Sequence, residues 1–195
     1  MRMNESPTVT SLPAHDAADA AETAARLARW PHPGTPVLAT LDDTRLLLAW
    51  MQEGALQAHA LPLGLRTLGD AHFRHQPARP VELEAAIDTV EDALMRPHPP
   101  LPAGRVLWPT GAFGCVLPLV AGDTREDVEA LFQQFAAVSL GRPGAGLPQD
   151  AASTAAILVL RELMHHLDFA RWAAGPPDSS QIEPHTASAA RLPDS

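Results

Sequence analysis

Apolar positions along this chain follow two rhythms, helical and strand-like, in the order helix, three strands, helix, two strands, helix, helix. From Ala14 to Trp30 the apolar positions Ala17, Ala20, Ala24, Leu27 and Ala28 fall near helical spacing, and Pro31 with Pro33-Gly34 stops the run. Val37–Leu41 and Arg45–Met51 then form two short apolar runs joined across Asp42-Asp43-Thr44, which reads as a β-hairpin. Leu56–Leu61 (LQAHAL) alternates as a third strand would, and a meander is the economical arrangement.

Leu83, Ile87, Val90 and Leu94 share one face of a second helix over residues 81–95, opened by Pro77 and Pro80 and closed by Pro97, Pro99 and Pro100. Val106–Trp108 and Cys115–Val120 predict two further strands, with Pro118 confining the latter to an edge or a bulge. Thr124 stands three residues before Asp127 as an N-cap signal for a helix buried through Val128, Leu131, Phe132, Phe135 and Val138. Asp150 is the N-cap of a last helix that the pattern carries to about Ala174, where Gly175-Pro176-Pro177 breaks it. Segregated runs of strands and helices, without βαβ alternation, predict an α+β fold: a small antiparallel sheet of about five strands packed against four helices. One domain over residues 13–177 is expected, between a flexible leader at 1–12 and a disordered tail at 178–195.

Charge and composition narrow the function. The net charge is −9 and all 14 basic residues are arginine, with no basic cluster, which speaks against nucleic acid or an anionic membrane as a partner. The absence of lysine and tyrosine removes Schiff-base chemistry, the Walker lysine and tyrosine acid–base catalysis. A single cysteine, no secretion signal and no membrane-length apolar run point to the cytoplasm.

Candidate chemistry concentrates in RELMHHLDFARW. Glu162 and His165 are three apart on one helical face, whereas His166 lies about 100° further round. A Glu-x-x-His pair is half of a di-iron carboxylate site, but no second pair exists in the chain, so a mononuclear zinc or iron site with an acid from elsewhere, such as the helix at 82–95, is the form that remains. Glu84, Asp88, Glu91 and Asp92 form an acidic stripe that reads as a solvated face or a seat for a cation or arginines. Cys115 with His165 and Asp168 would complete a thiol triad, but GCVLPL is an apolar run in which a small buried residue is the ordinary reading. His72 and His75 in HFRH, and the GRPGAG loop, read as packing and plain loop.

The last helix also carries an apolar seam, Ala156, Leu160, Leu163, Leu167, Ala170 and Ala174, while Leu158, Phe169 and Trp172 line a second flank beside His166. One flank suits the chain's own core, and Leu158, His166, Phe169 and Trp172 are then the expected interface of a homodimer or of a contact with another protein. With no complete catalytic set, the leading expectation is a non-catalytic interaction module without a cofactor. The alternative is a metal-dependent enzyme with Glu162 and His165 as ligands.

Overall fold

The computed structural model describes residues 14–176 apart from 145, so the expected leader and the expected tail lie outside the described residues. The fold is α+β. In chain order the elements are α1 (Ala14–Ala28), β1 (Thr35–Leu41), β2 (Leu46–Gln52), β3 (Ala55–Leu61), α2 (Leu65–His72), α3 (Pro80–Leu94), β4 (Arg105–Gly111), α4 (Arg125–Ser139) and α5 (Ala151–His166). None of the described helices is long and apolar enough to cross a membrane.

The sheet has four strands in the order β3-β2-β1-β4. The β1–β2 and β2–β3 pairs are antiparallel, as the meander predicts. β4 instead lies parallel to β1, which makes the sheet mixed rather than antiparallel. The fifth expected strand is absent among the described residues. Gly111 takes a left-handed φ of 67°, and Ala112–Cys115 and Leu117–Leu119 coil into short 3₁₀ turns instead. Pro118, which cannot donate to a ladder, sits inside the second turn.

Each hairpin is set by local chemistry. The Asp42 carboxylate accepts from the Thr44 and Arg45 amides at 2.7 and 2.8 Å, closing the first turn. Glu53 and Gly54 both take positive φ, 50° and 79°, in the two-residue turn that matches strand twist in the second. The Thr124 cap forms as the sequence implies, with Asp127 N donating to Thr124 Oγ1 at 3.2 Å and Thr124 N donating back to the Asp127 carboxylate at 3.1 Å. Asp150 caps α5 through Ser153 N at 2.8 Å.

Helices α2–α5 cover one face of the sheet and bury the main core. A smaller cluster on the other face, Leu38, Ala49 and Trp108, packs against Leu27 of α1. α5 runs through the middle of the main core: every residue from Ala155 to Leu160 is fully buried, against α2, α3, α4 and the sheet. A helix apolar on all sides is a buried helix. Its two apolar flanks are therefore both met within the monomer.

α5 ends at His166, two turns short of the expected stop. Its final carbonyls are taken by the amides of Leu167, Asp168 and Phe169, and arginines from other elements hold the chain just beyond its end. Arg105 Nε donates to Leu167 O at 2.8 Å and Arg125 Nε to Phe169 O at 3.1 Å, and both guanidiniums also hold Asp168, whose φ is 51°. The chain then turns back as a strap along the outer edge of β4, with Leu107 N donating to Arg171 O and Ala173 N to Leu107 O. Gly175 lies so close to the Trp108 ring that no side chain fits there.

Candidate functional site

Three side chains from two helices meet at the C-terminal end of α5. Glu162 and His166 are one turn apart on α5, and Glu91 reaches across from α3. Their potential ligand atoms all lie within 4.8 Å of one another. His166 Nε2 is 3.4 Å from Glu91 Oε1 and 3.4 Å from Glu162 Oε2. Glu162 is only 1% exposed, while His166 and Glu91 open toward solvent.

Burial pushes the Glu162 carboxyl above its ordinary pKa, and Glu91 adds to the shift, against the pull of Arg161 and His166. Arg161 holds Glu162 Oε1 in a short contact and Glu129 Oε2 at 2.6 Å, and stacks on the Phe132 ring at 4.7 Å. Burial would raise the Glu129 carboxyl too, yet hydrogen bonds from Gln133 and Arg161 outweigh it and leave its pKa lowered. One guanidinium thus anchors two carboxylates. Glu162 Oε2 stays turned toward His166 and Glu91.

The sequence pairs Glu162 with His165; the structure separates them. His165 faces α4, with Nε2 3.2 Å from Glu129 Oε2, and His166 takes the place beside Glu162. Spacings of three and four both lie on one helical face, so only the position of α3 distinguishes them. Of the acidic stripe, Glu84, Asp88 and Asp92 are exposed and Glu91 turns inward to the cluster. The helix at 82–95 is one of the places from which the sequence allows an acid to come, and Glu91 is its residue that lies beside Glu162 and His166.

The other candidate residues do not assemble. Cys115 is next to Asp150 and Ser153 at the start of α5, about 20 Å of helix away from His165, so no thiol triad exists. Cys115 is exposed, not the small buried residue that its apolar run predicts, and partial desolvation, with Asp150, still raises its thiol pKa against a hydrogen bond from Ser153, the opposite of what a nucleophile needs. His72 bonds Thr89 at 3.0 Å and His75 bonds Glu82 at 2.8 Å, so they share no ion. Of the expected interface residues, Leu158 and Phe169 are fully buried and offer a partner no surface. Trp172 lies in the strap, and His166 belongs to the cluster.

Open sheets also bind ligands beyond the C-terminal ends of their parallel strands. Here those ends hold Thr40 and Thr110, whose hydroxyls bond each other at 2.9 Å. The nearby helix N-termini are already satisfied: Asp42 and Asp43 carbonyls take the Leu65, Arg66 and Thr67 amides of α2, and Asp150 takes Ser153 N of α5. Those amides are not available to cradle an anion.

No family model matches the chain, and no curated protein matches it in sequence. Its fold, however, is found in solved enzymes. An Aquifex aeolicus member of the Ppx/GppA family superimposes with a TM-score of 0.57 at 13% identity, over 77% of this chain and 56% of that one. The type II variant of the A. aeolicus Ppx/GppA phosphatase gives 0.56 at 12% identity, over 73% and 54%. An exopolyphosphatase from Cytophaga hutchinsonii gives 0.50 at 14% identity, over 80% and 59%. The chain spans a little over half the length of these structures. The expectation of a purely non-catalytic interaction module is thereby corrected: the chain shares an enzyme fold, that of part of the Ppx/GppA phosphatases.

Proposed function

We propose that this chain acts as a metal-dependent hydrolase of a phosphorylated substrate, with Glu91, Glu162 and His166 as ligands of a divalent cation. The observation that carries the reading is the fold shared with Ppx/GppA phosphatases and an exopolyphosphatase. The cluster adds a chemical reason. Two carboxylates and an imidazole suit zinc or iron, and three protein ligands leave positions open for substrate. A cation held there would supply Lewis acidity and a point of attachment for phosphoryl oxygens. Without it, Glu91, Glu129 and Glu162 would repel a phosphate from this surface, and Arg161 is already engaged by two of them.

The chain's own residues have distinct tasks in this reading. Arg161 fixes the Glu162 carboxylate through Oε1, so that Oε2 faces the shared point between His166 and Glu91. Glu129 and Phe132 in turn hold Arg161. His165 is outside the ligand set.

The test is metal analysis of protein purified without a histidine tag, paired with phosphate release from polyphosphate and from p-nitrophenyl phosphate. Stoichiometric zinc or iron is expected, with phosphate release that a chelator stops. His166→Ala and Glu91→Gln should each reduce metal affinity and turnover by roughly 10- to 100-fold or more, while His165→Ala retains the metal. Protein that binds neither metal and releases no phosphate from either substrate would sink the reading.

A further inference from the structure

The strap leaves a cavity on the side of the sheet away from α3 and α5. Leu107 N donates to Arg171 O and Ala173 N to Leu107 O, so Trp172 is the residue paired with Leu107. Successive side chains of an extended segment alternate between faces. Trp172 therefore joins Leu107 against the main core, and Arg171 and Ala173 fall on the other face with Val106 and Trp108. The cavity there has a volume of about 150 Å³, several times what one water needs, and shares no residue with the Glu91–Glu162–His166 cluster.

Its lining divides by chemistry. Pro33, Val106 and Ala173 supply an apolar part, His32 an imidazole, and Arg171 with Asp123 an ion pair. The pair is open to solvent, with side chains 64% and 44% exposed, yet its backbone is fixed: Trp172 N donates to Asp123 O at 2.9 Å, and Arg171 bridges to Thr124. The hydrogen bond between the two side chains uses Nη2 of the guanidinium and Oδ2 of the carboxylate. A guanidinium has five donors and a carboxylate two acceptor oxygens, so both keep capacity for a ligand without giving up their contact. His32 Nε2 is 2.9 Å from Ala174 O. A carbonyl only accepts, so Nε2 carries the proton there, and the neutral ring keeps Nδ1 as a further acceptor.

We propose that this cavity binds a small zwitterion, an α-amino acid with a short aliphatic side chain. Its carboxylate takes the remaining N–H groups of Arg171, and its ammonium group takes Asp123 Oδ1 and His32 Nδ1. Its side chain lies on Pro33, Val106 and Ala173. Electrostatics selects this class. A lone anion would meet Asp123 at close range and a lone cation would meet Arg171, and like charges brought together cost affinity. A molecule with both charges offers each half of the pair its opposite and leaves the site neutral. A few placed polar groups beside an apolar wall are the usual make-up of a small-molecule site.

Calorimetric titration of the full chain tests this with three matched probes: L-valine, isovalerate, which lacks its ammonium group, and isobutylamine, which lacks its carboxylate. L-Valine should bind, and each singly charged analogue should bind at least roughly tenfold more weakly. Arg171→Gln and Asp123→Asn lie on the surface and leave the backbone bonds of the strap in place, and each should weaken L-valine by roughly tenfold or more. Ala173→Leu fills the cavity without touching either charge and should abolish binding, with a thermal melt to check that the variant is folded. No heat at about 10 mM L-valine overturns the proposal. Isovalerate or isobutylamine binding as tightly as L-valine overturns it as well, since the site would then be a simple anion or cation site. L-Valine binding that ignores both Arg171→Gln and Asp123→Asn places the ligand elsewhere and overturns it too.

Discussion

Glu82 shows how much one side chain can organise. Its carboxylate accepts from the Arg79 amide at 2.9 Å and the Arg74 amide at 3.2 Å, and His75 Nδ1 is 2.8 Å away. The Arg79 amide, followed by the His75 side chain and the Arg74 amide, holds its pKa down at about 2 against a smaller burial effect. A depressed carboxylate contributes stability above the ordinary glutamate pKa and loses it as pH falls toward the folded value. The Glu82 contribution should therefore be complete near neutrality and fade between about pH 4.5 and about 2. Glu82→Ala should cost about 1 kcal/mol at neutral pH, and less in acid, by denaturant melts at both pH values. At the core, Leu163 is fully buried, and Leu163→Ala should cost about 2–5 kcal/mol. A loss under half a kcal/mol would contradict the packing of α5.

Among elements, α3 and α4 were legible because each signal is local. Periodic apolar residues, prolines at the ends of α3 and the Thr124–Asp127 cap of α4 need no knowledge of the rest of the chain. The end of α5 was not legible. LDFARWAA contains no proline or glycine, yet Arg105 and Arg125, 43 to 63 residues distant from Asp168, terminate the helix and free Trp172 to join the strap. The same limit applies to the cluster: the Glu162 signal was present, but the choice of His166 over His165 is made by Glu91 on α3. α2 escaped notice because prolines and histidines around HFRH mask its eight residues. Arg125→Ala should fray α5 from its C-terminal end, visible as faster amide exchange at Leu167 and Phe169, whose N–H groups bond Leu163 O and Met164 O.

At the scale of the whole molecule, three layers depend on the middle one. The sheet has α1 on one face and α2–α5 on the other, and the parallel β1–β4 pair joins segments about 70 residues apart. The strap belongs to this assembly, although the composition places it on a helix. Removing everything after Phe169 should lower the melting temperature by several degrees and promote aggregation through the exposed β4 edge, in contrast to removal of residues 178–195 alone. Light scattering during a thermal ramp separates the two truncations.

The Trp108–Gly175 contact has a kinetic consequence. Strap and β4 are joined by contacts 64 residues apart, between Leu107 and Arg171, and these close onto strands that must already be paired. The strap adds to an edge that β4 must first provide, so its contacts are expected to form after the rate-limiting step of folding. Gly175→Val, which drives a side chain into the indole ring, should then leave the refolding rate nearly unchanged and speed unfolding almost in full proportion to the stability lost. In a chevron plot only the unfolding limb would move. The strap would act as a latch on the lifetime of the native state, with little say in how quickly that state is reached.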